Sequence, residues 1–335
     1  MINAILVLDK PPAFTSHDVV NRVRKITGER SVGHLGTLDP MATGVLPLVL
    51  GRFTRLAKFF NNSTKVYEGE IHFGFSTDTY DADGEAVGPV SSQQPTLEQI
   101  QRLLPAFTGR ILQVPPAFSA KKIHGVAAYK LARKDKVVDL PPVEVTVHRF
   151  EIKSVCANRA RFLAEVSAGT YIRSLAHDLG QALGCGAHLA QLRRTLAGEF
   201  DLSQAVTLEN LETYHGSYAR QPSAAIDSSP VAMSDNVYSD KSITAPNHST
   251  TPAQPVSPYL HPRQILTRFP SVTATAEAVA AIRNGRSVNL PEFSDAPLVK
   301  VFANQYLLIA VVQRIAATLF QPRVVLYGSN ESLPV

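Results

Sequence analysis

The chain reads as an α+β protein, and three observations predict that class. Residues 66–75 alternate apolar and polar in the two-residue period of a half-buried strand. Candidate strands and helices follow one another irregularly, without the regular strand–helix–strand rhythm of a doubly wound sheet. A stretch rich in Ser, Pro, Thr, Ala and Asn then separates a second group of short strand patterns from the first.

Taken in order, the first element is a helix from Ser16 to about Thr27. Thr15 or Ser16 caps it, Val19, Val20, Val23 and Ile26 share a face, and Gly28 is its stop. In 66–75 the residues Tyr67, Gly69, Ile71, Phe73 and Phe75 fall on one side, so Tyr67 points with the apolar set toward the interior or a cleft. Asp78 to Gly84 is a turn of acids and glycine. Thr96 and Gln99 are spaced as a capping box for a helix reaching Phe107. Val143, Val145 and Val147, then Phe162, Ala164 and Val166, mark two further strands. Gly169-Thr170 ends the second and opens a helix carrying Ile172, Leu175, Leu179 and Leu183. From about Ser217 to Pro258 too few large apolar residues occur to offset chain entropy, which predicts a disordered linker. Beyond it, Glu277 to Asn284 reads as a helix, Asn284-Gly285 as a turn, and Val299–Phe302, Tyr306–Gln313 and Arg323–Leu326 as strands. The expected boundaries are a first domain over 1–212, a linker over 213–265 and a small β domain over 266–335.

Composition narrows the function classes. The 335 residues suffice for two domains. No apolar run approaches the ~18–20 residues needed to cross a bilayer. The first eight residues lack a basic stretch and lead straight into patterned sequence, so a cytoplasmic protein is expected. Cys156 and Cys185 make neither a disulfide framework nor a cysteine metal site. No G-x-x-x-x-G-K-[ST] phosphate loop occurs. Net charge is +5, yet the segment from Lys121 to Lys136 carries that much alone, with Lys121, Lys122, Lys130, Arg133, Lys134 and Lys136 against Asp135. Taken by itself, such a segment is either a solvated helix face or a polyanion-binding surface.

The most informative stretch is Gly33-His34-Leu35-Gly36-Thr37-Leu38-Asp39-Pro40-Met41-Ala42-Thr43-Gly44. It places one carboxylate in a tight turn ahead of the apolar run Val45–Leu50. Glycines permit close or left-handed backbone there, and Pro40 sets the geometry after the acid. An isolated Asp-Pro turn usually only caps its own backbone. A motif a dozen residues long favours an Asp held at the floor of a cleft.

This stretch resembles the catalytic motif of the bacterial tRNA pseudouridine-55 synthases, the TruB family. Leu8-Asp9-Lys10-Pro11-Pro12, Lys65-Val66-Tyr67, Thr77 through Gly84, Phe118-Ser119-Ala120-Lys121-Lys122, Gly169-Thr170-Tyr171-Ile172-Arg173, and Gly184 through Leu189 followed by Leu192-Arg193-Arg194 match the family in order. The match spans about the first 212 residues. It implies a mixed, mainly antiparallel sheet of the pseudouridine synthase fold flanked by helices, and a PUA-like C-terminal domain. The linker is longer than the family pattern.

The resemblance also implies a chemistry. Pseudouridine formation breaks the C1′–N1 bond of uridine, turns the base and joins C5 to C1′, so neither cofactor nor metal is expected. Asp39 matches the essential carboxylate and Arg173 its guanidinium partner. Tyr67 matches the tyrosine that packs on the base and is a candidate for C5 deprotonation, although an inward aromatic on a strand is equally a core residue. Leu192 matches an apolar residue of the uracil pocket, and His34 a side chain that fills the space left by the flipped nucleotide. Lys10, Lys121, Lys122 and Asp81 are the further substrate contacts expected, with Lys121 and Lys122 opening a basic insertion over about 112–141 that closes on RNA. Asp81 and Asp83 either order their turn or hydrogen-bond flipped bases. The residues do not choose between attack at C1′, attack at C6 and deprotonation of the sugar. The expected partner is the T stem-loop of tRNA, bound by a monomer without guide RNA. The rival readings are a guide-RNA-dependent synthase within a ribonucleoprotein and a non-catalytic RNA chaperone.

Overall fold

The computed structural model describes residues 2–119, 121–123, 126–128, 140–219 and 257–333. The chain divides into two compact units, Met1–Leu208 and Glu209–Val335.

One sheet carries the first unit. Its main strands are β1 (Ala4–Lys10), β2 (Val32–His34), β3 (Thr43–Leu50), β4 (Lys65–Phe73), β5 (Gly109–Gln113), β6 (Val143–Cys156), β7 (Arg159–Val166) and β8 (Ala187–Ala197). They lie in the order β1-β3-β8-β4-β7-β6-β5, with β2 also beside β3. These pairs are antiparallel except β3 with β8, which meet in parallel at Thr43–Arg193 and Gly44–Arg194. That parallel contact sets the end of the Asp39 motif against the strand that carries Leu192 and Arg194.

Val45, Leu46, Leu48, Val49 and Leu50 are all at most 1% exposed, so the apolar run of β3 is covered on both faces. On β4 the predicted alternation buries Tyr67, Ile71 and Phe73. The strand ends at Phe73 because Gly74 turns the backbone to φ 114, and Phe75 instead joins the rings of His72 and His188.

Helix α1 (Ser16–Thr27) has Thr15 as N-cap, a capping box with Asp18, and Gly28 at φ 70 as its C-cap, so its start and stop were both written locally. Helix α2 (Leu97–Leu103) has the predicted Thr96–Gln99 box, but Pro105 tightens its tail into the 3-10 turn Leu104–Phe107. Helix α3 (Ile172–Ala182) buries Ile172, Leu175, Ala176 and Leu179.

The second unit has a five-stranded sheet, with Leu298–Phe302, Leu308–Ala316 and Leu319–Val325 antiparallel at its centre. The helix Ala276–Arg283 adds Val279 and Ile282 to that unit's core. The expected linker over 213–265 is too long at both ends. A helix spans Leu208–Ala219, and Ile265 is fully buried after the turn Pro262–Gln264, so apolar burial begins before residue 266. The rest of that expectation lies outside the described residues.

Gly44 sits where β3 and β8 touch. It has φ 98, and a Cβ there would come 2.2 Å from the backbone oxygen of Arg194. Gly44→Ala is therefore expected to lower unfolding stability by about 2–4 kcal/mol, combining backbone strain with overpacking. Urea unfolding followed by circular dichroism measures it, and an unchanged midpoint would contradict the close approach.

Candidate active site

The site begins with how the Asp39 turn is held. Arg194, fully buried, donates from Nε to the Val45 oxygen at 2.8 Å, from Nη2 to the Gly36 oxygen at 3.1 Å and from Nη1 to the Thr37 oxygen at 3.4 Å. Ser16, the first residue of α1, accepts from the Leu38 amide at 2.8 Å and donates to its carbonyl at 3.1 Å. The Pro40 carbonyl takes the Ala13 amide at 3.0 Å and the Lys10 ammonium at 3.1 Å. Consecutive peptide groups on both sides of Asp39 are thus bonded to other elements, while its side chain is left to the cleft.

Arg173 enters that cleft from the first turn of α3. The helix start is positioned by Gln113 at the end of β5, whose side-chain amide accepts from the Tyr171 N–H at 2.7 Å and donates to the Tyr171 carbonyl at 3.0 Å. The guanidinium donates from Nη2 to Asp39 Oδ1 at 3.1 Å, and its Nε lies 2.9 Å from Oδ2 without the line-up of a second hydrogen bond. The remaining donors reach the Thr79 carbonyl at 2.9 Å and the Phe118 carbonyl at 2.8 Å. Asp81 Oδ2 stands 3.4 Å from Nη1. One buried arginine therefore gathers two carboxylates and two loop carbonyls.

Side-chain exposure separates the two acids. Asp39 is 33% accessible and Asp81 only 6%. Asp81 accepts from the Thr79 hydroxyl at 2.6 Å and the Asp83 amide at 3.1 Å, so it orders the turn and counter-charges Arg173. Lys10 is fully buried, and its ammonium also donates to the carbonyls of Pro11 at 3.0 Å and Phe14 at 2.5 Å, so it braces the Asp39 turn from behind.

Enclosure in the cleft raises the Asp39 pKa above the ordinary carboxylate value, and Arg173 opposes the rise while Asp81 adds to it. Arg173 first, and then Lys10, favour the anionic form of the open carboxylate. Burial lowers Lys10 to about 8, with Arg194 in the same direction and the carboxylates of Asp39 and Asp18 against it. His34, at the end of β2, has its pKa lowered by burial and then by Arg194 and His17, so the ring is neutral near pH 7. Its Nδ1 accepts from the Gly36 amide at 3.4 Å, which leaves the proton on Nε2.

Tyr67 is 6% exposed on β4, directly across from Arg194 on β8, and Leu192, two residues before Arg194, pairs with Gly69. The Thr43 hydroxyl reaches the Leu192 carbonyl at 3.4 Å. Arg194 thus joins the two halves of the site, lying beside the Tyr67 strand position and bonded to the carbonyls that precede Asp39. A cavity of 620 Å³ next to the turn borders Met41, Thr43 and Leu192 but not Asp39, Tyr67 or Arg173, so the charged pair and not the volume marks the centre. Lys121 is half-buried, and its carbonyl accepts the Ala128 amide at 2.8 Å. Lys122 starts the short hairpin Lys122–Ile123 with Val126–Ala127. Lys130, Arg133, Lys134, Asp135 and Lys136 lie outside the described residues.

The sequence reading missed Gln113 and gave Arg194 no role. Arg194 shares its strand face with Leu192 at the two-residue period, a signal that it points inward. Gln113 carried none, because its partner lies 58 positions away in the chain.

The TruB family pseudouridylate synthase N-terminal domain matches residues 24–172, and the tRNA pseudouridylate synthase B C-terminal domain matches 173–228. The protein named tRNA pseudouridine synthase B in Solibacter usitatus is 44% identical over 97% of this chain and 100% of its own length. The chain belongs to the TruB family. A relative of the same name in Stutzerimonas stutzeri is 48% identical over 64% of this chain and 70% of its own. The crystal structure of a Cbf5-Nop10-Gar1 complex contains a chain that superposes with a TM-score of 0.65 at 23% identity, covering 98% of this chain and 86% of that one. At that identity the likeness shows that the TruB family member shares its fold.

Removing the guanidinium tests the electrostatics. Arg173→Gln takes away the larger of the two charges that hold the Asp39 pKa down, Lys10 being the other, so that pKa climbs further above the ordinary carboxylate value. With Asp39 acting as an anion, as proposed below, activity falls as pH drops through this pKa. The acid limb of the rate–pH profile is therefore expected at higher pH than in the wild type. A limb that stays in place, with circular dichroism showing intact fold, would mean that Arg173 does not set Asp39 ionisation.

Proposed function

We propose that this chain is a tRNA pseudouridine(55) synthase, an isomerase that converts the T-loop uridine at position 55 to pseudouridine. The observation that carries the reading is the Arg173–Asp39 pair, in which one carboxylate is braced on every side and open only toward the cleft. The bracing matters because a carboxylate already aimed at the sugar–base junction needs no reorganisation during reaction.

The uridine must leave its stack, which costs a few kcal/mol. A neutral, planar His34 offsets part of that cost by filling the vacated space without burying a second charge. The extruded base packs on Tyr67 with Leu192 at its edge. With Asp39 against the sugar–base junction, the C1′–N1 bond breaks, the base turns, and C5 bonds to C1′. The proton lost from C5 and the one gained at N1 balance, so the product is an isomer. Tyr67, the inward residue of the pocket that carries a proton-accepting oxygen, serves the C5 proton.

RNA recognition rests on the shape of the folded stem-loop and on extruded bases, with phosphates supplying affinity. On this reading a monomer acts on naked tRNA in the cytoplasm, and Lys121 and Lys122 contact the RNA backbone. Among the described residues no helix is long and apolar enough to cross a membrane.

The deciding experiment incubates the purified chain with an unmodified tRNA transcript and maps pseudouridine by carbodiimide-dependent primer extension. One stop at the T-loop uridine is expected, absent with Asp39→Asn, which keeps tRNA affinity. Binding without a stop would overturn the isomerase reading for this RNA. Conversion that requires an added guide RNA would overturn the partner-free form.

A further inference from the structure

Lys65 opens the strand that presents Tyr67, and the two side chains leave the same face of β4 about 7 Å apart along the strand. Its stem lies along the catalytic turn, since Lys65 Cε and Arg194 Nη1 would be 3.4 and 3.5 Å from a Cβ placed on Gly36. The setting is strongly cationic. Arg194 is fully buried, and its guanidinium is bonded to carbonyls with no carboxylate beside it among the described residues. Lys65 is half-buried, and among the described residues no hydrogen bond or ion pair reaches its ammonium. Lys10, the other lysine behind this turn, has three carbonyl partners and the nearby Asp39 charge. Lys65 has neither. Burial and then the like charge of Arg194 bring it down to about 8, so the ammonium is held at a cost that an arriving anion would relieve.

We propose that Lys65 forms a phosphodiester subsite that takes one RNA backbone phosphate beside the flipped uridine, on the Gly36 side of the catalytic turn. This rests on the RNA-isomerase reading above. The chemistry selects a phosphate because the position offers donors, faces no carboxylate, and lies one nucleotide's span from the ring that receives the base. A structural lysine whose ammonium simply reaches water is the competing account.

The test uses the full chain and a T-arm stem-loop RNA. Affinity is measured against salt for the wild type, Lys65→Gln and Lys65→Arg, with pseudouridine scored in the same samples. Loss of one phosphate contact to single-stranded RNA lowers the slope of log affinity against log salt by about 0.7. The gap between wild type and Lys65→Gln is then expected to narrow about 2.6-fold between 50 and 200 mM salt, with Lys65→Arg restoring the wild-type slope. A neutral methylphosphonate placed at each linkage around the target uridine in turn should weaken wild-type binding at one linkage to which Lys65→Gln is indifferent. Equal slopes, or no linkage with that pattern, would overturn the subsite while wild-type pseudouridine formation still supported the isomerase. Absence of pseudouridine with the wild type strikes the function reading instead, and leaves the salt slopes to decide on Lys65.

Discussion

The buried guanidinium of Arg173 and the cleft-floor carboxylate of Asp39 hold each other in place, and the surrounding elements are arranged to make that contact possible. Desolvating either charge alone costs several kcal/mol, and their attraction offsets this only with good geometry and satisfied remaining donors. Here the Thr79 and Phe118 carbonyls each take a remaining donor and Asp81 adds a second nearby charge. The pair thereby ties three segments distant in sequence to the start of α3. Its asymmetry is chemically useful, because Arg173 and Asp81 are enclosed while a third of the Asp39 side chain stays accessible.

A second buried cation supports the first arrangement from below. Arg194 has no acid beside it among the described residues, and an isolated buried charge would be prohibitive. Three bonds from a charged donor, at about 1.5–3 kcal/mol each, can offset a desolvation penalty of several kcal/mol. The oxygens it uses belong to Gly36, Thr37 and Val45, so the energy that makes a buried arginine tolerable also shapes the Asp39 turn. Lys10 acts in the same way on Pro40. Burial, and then the charge of Arg194, also disfavour protonation of His34, so the side chain proposed to replace a flipped base is neutral when it does so.

Much of this was legible in the chain because the signals are local. A capping box and a C-terminal glycine delimit α1, two-residue alternation placed Tyr67 on the inner face of β4, and the Asp39 motif marked its own turn. The resemblance named Arg173 as the partner of Asp39, and the two sides of the ion pair lie 134 positions apart. Lys10 and Asp81 are charged and sit in functional motifs, and only the structure shows what meets them: Lys10 bonds three carbonyls, and Asp81 meets the Thr79 hydroxyl, the Asp83 amide and the Arg173 guanidinium.

The sequence alone determined the fold class, the position of the carboxylate turn and the family to which the chain belongs, since periodicity, caps and motifs are properties of neighbouring residues. Only the tertiary structure decided which charges face the cleft and which brace it. That division depends on burial and on bonds across strands and loops, as when the parallel meeting of β3 and β8 carries Arg194 to the carbonyls that precede Asp39.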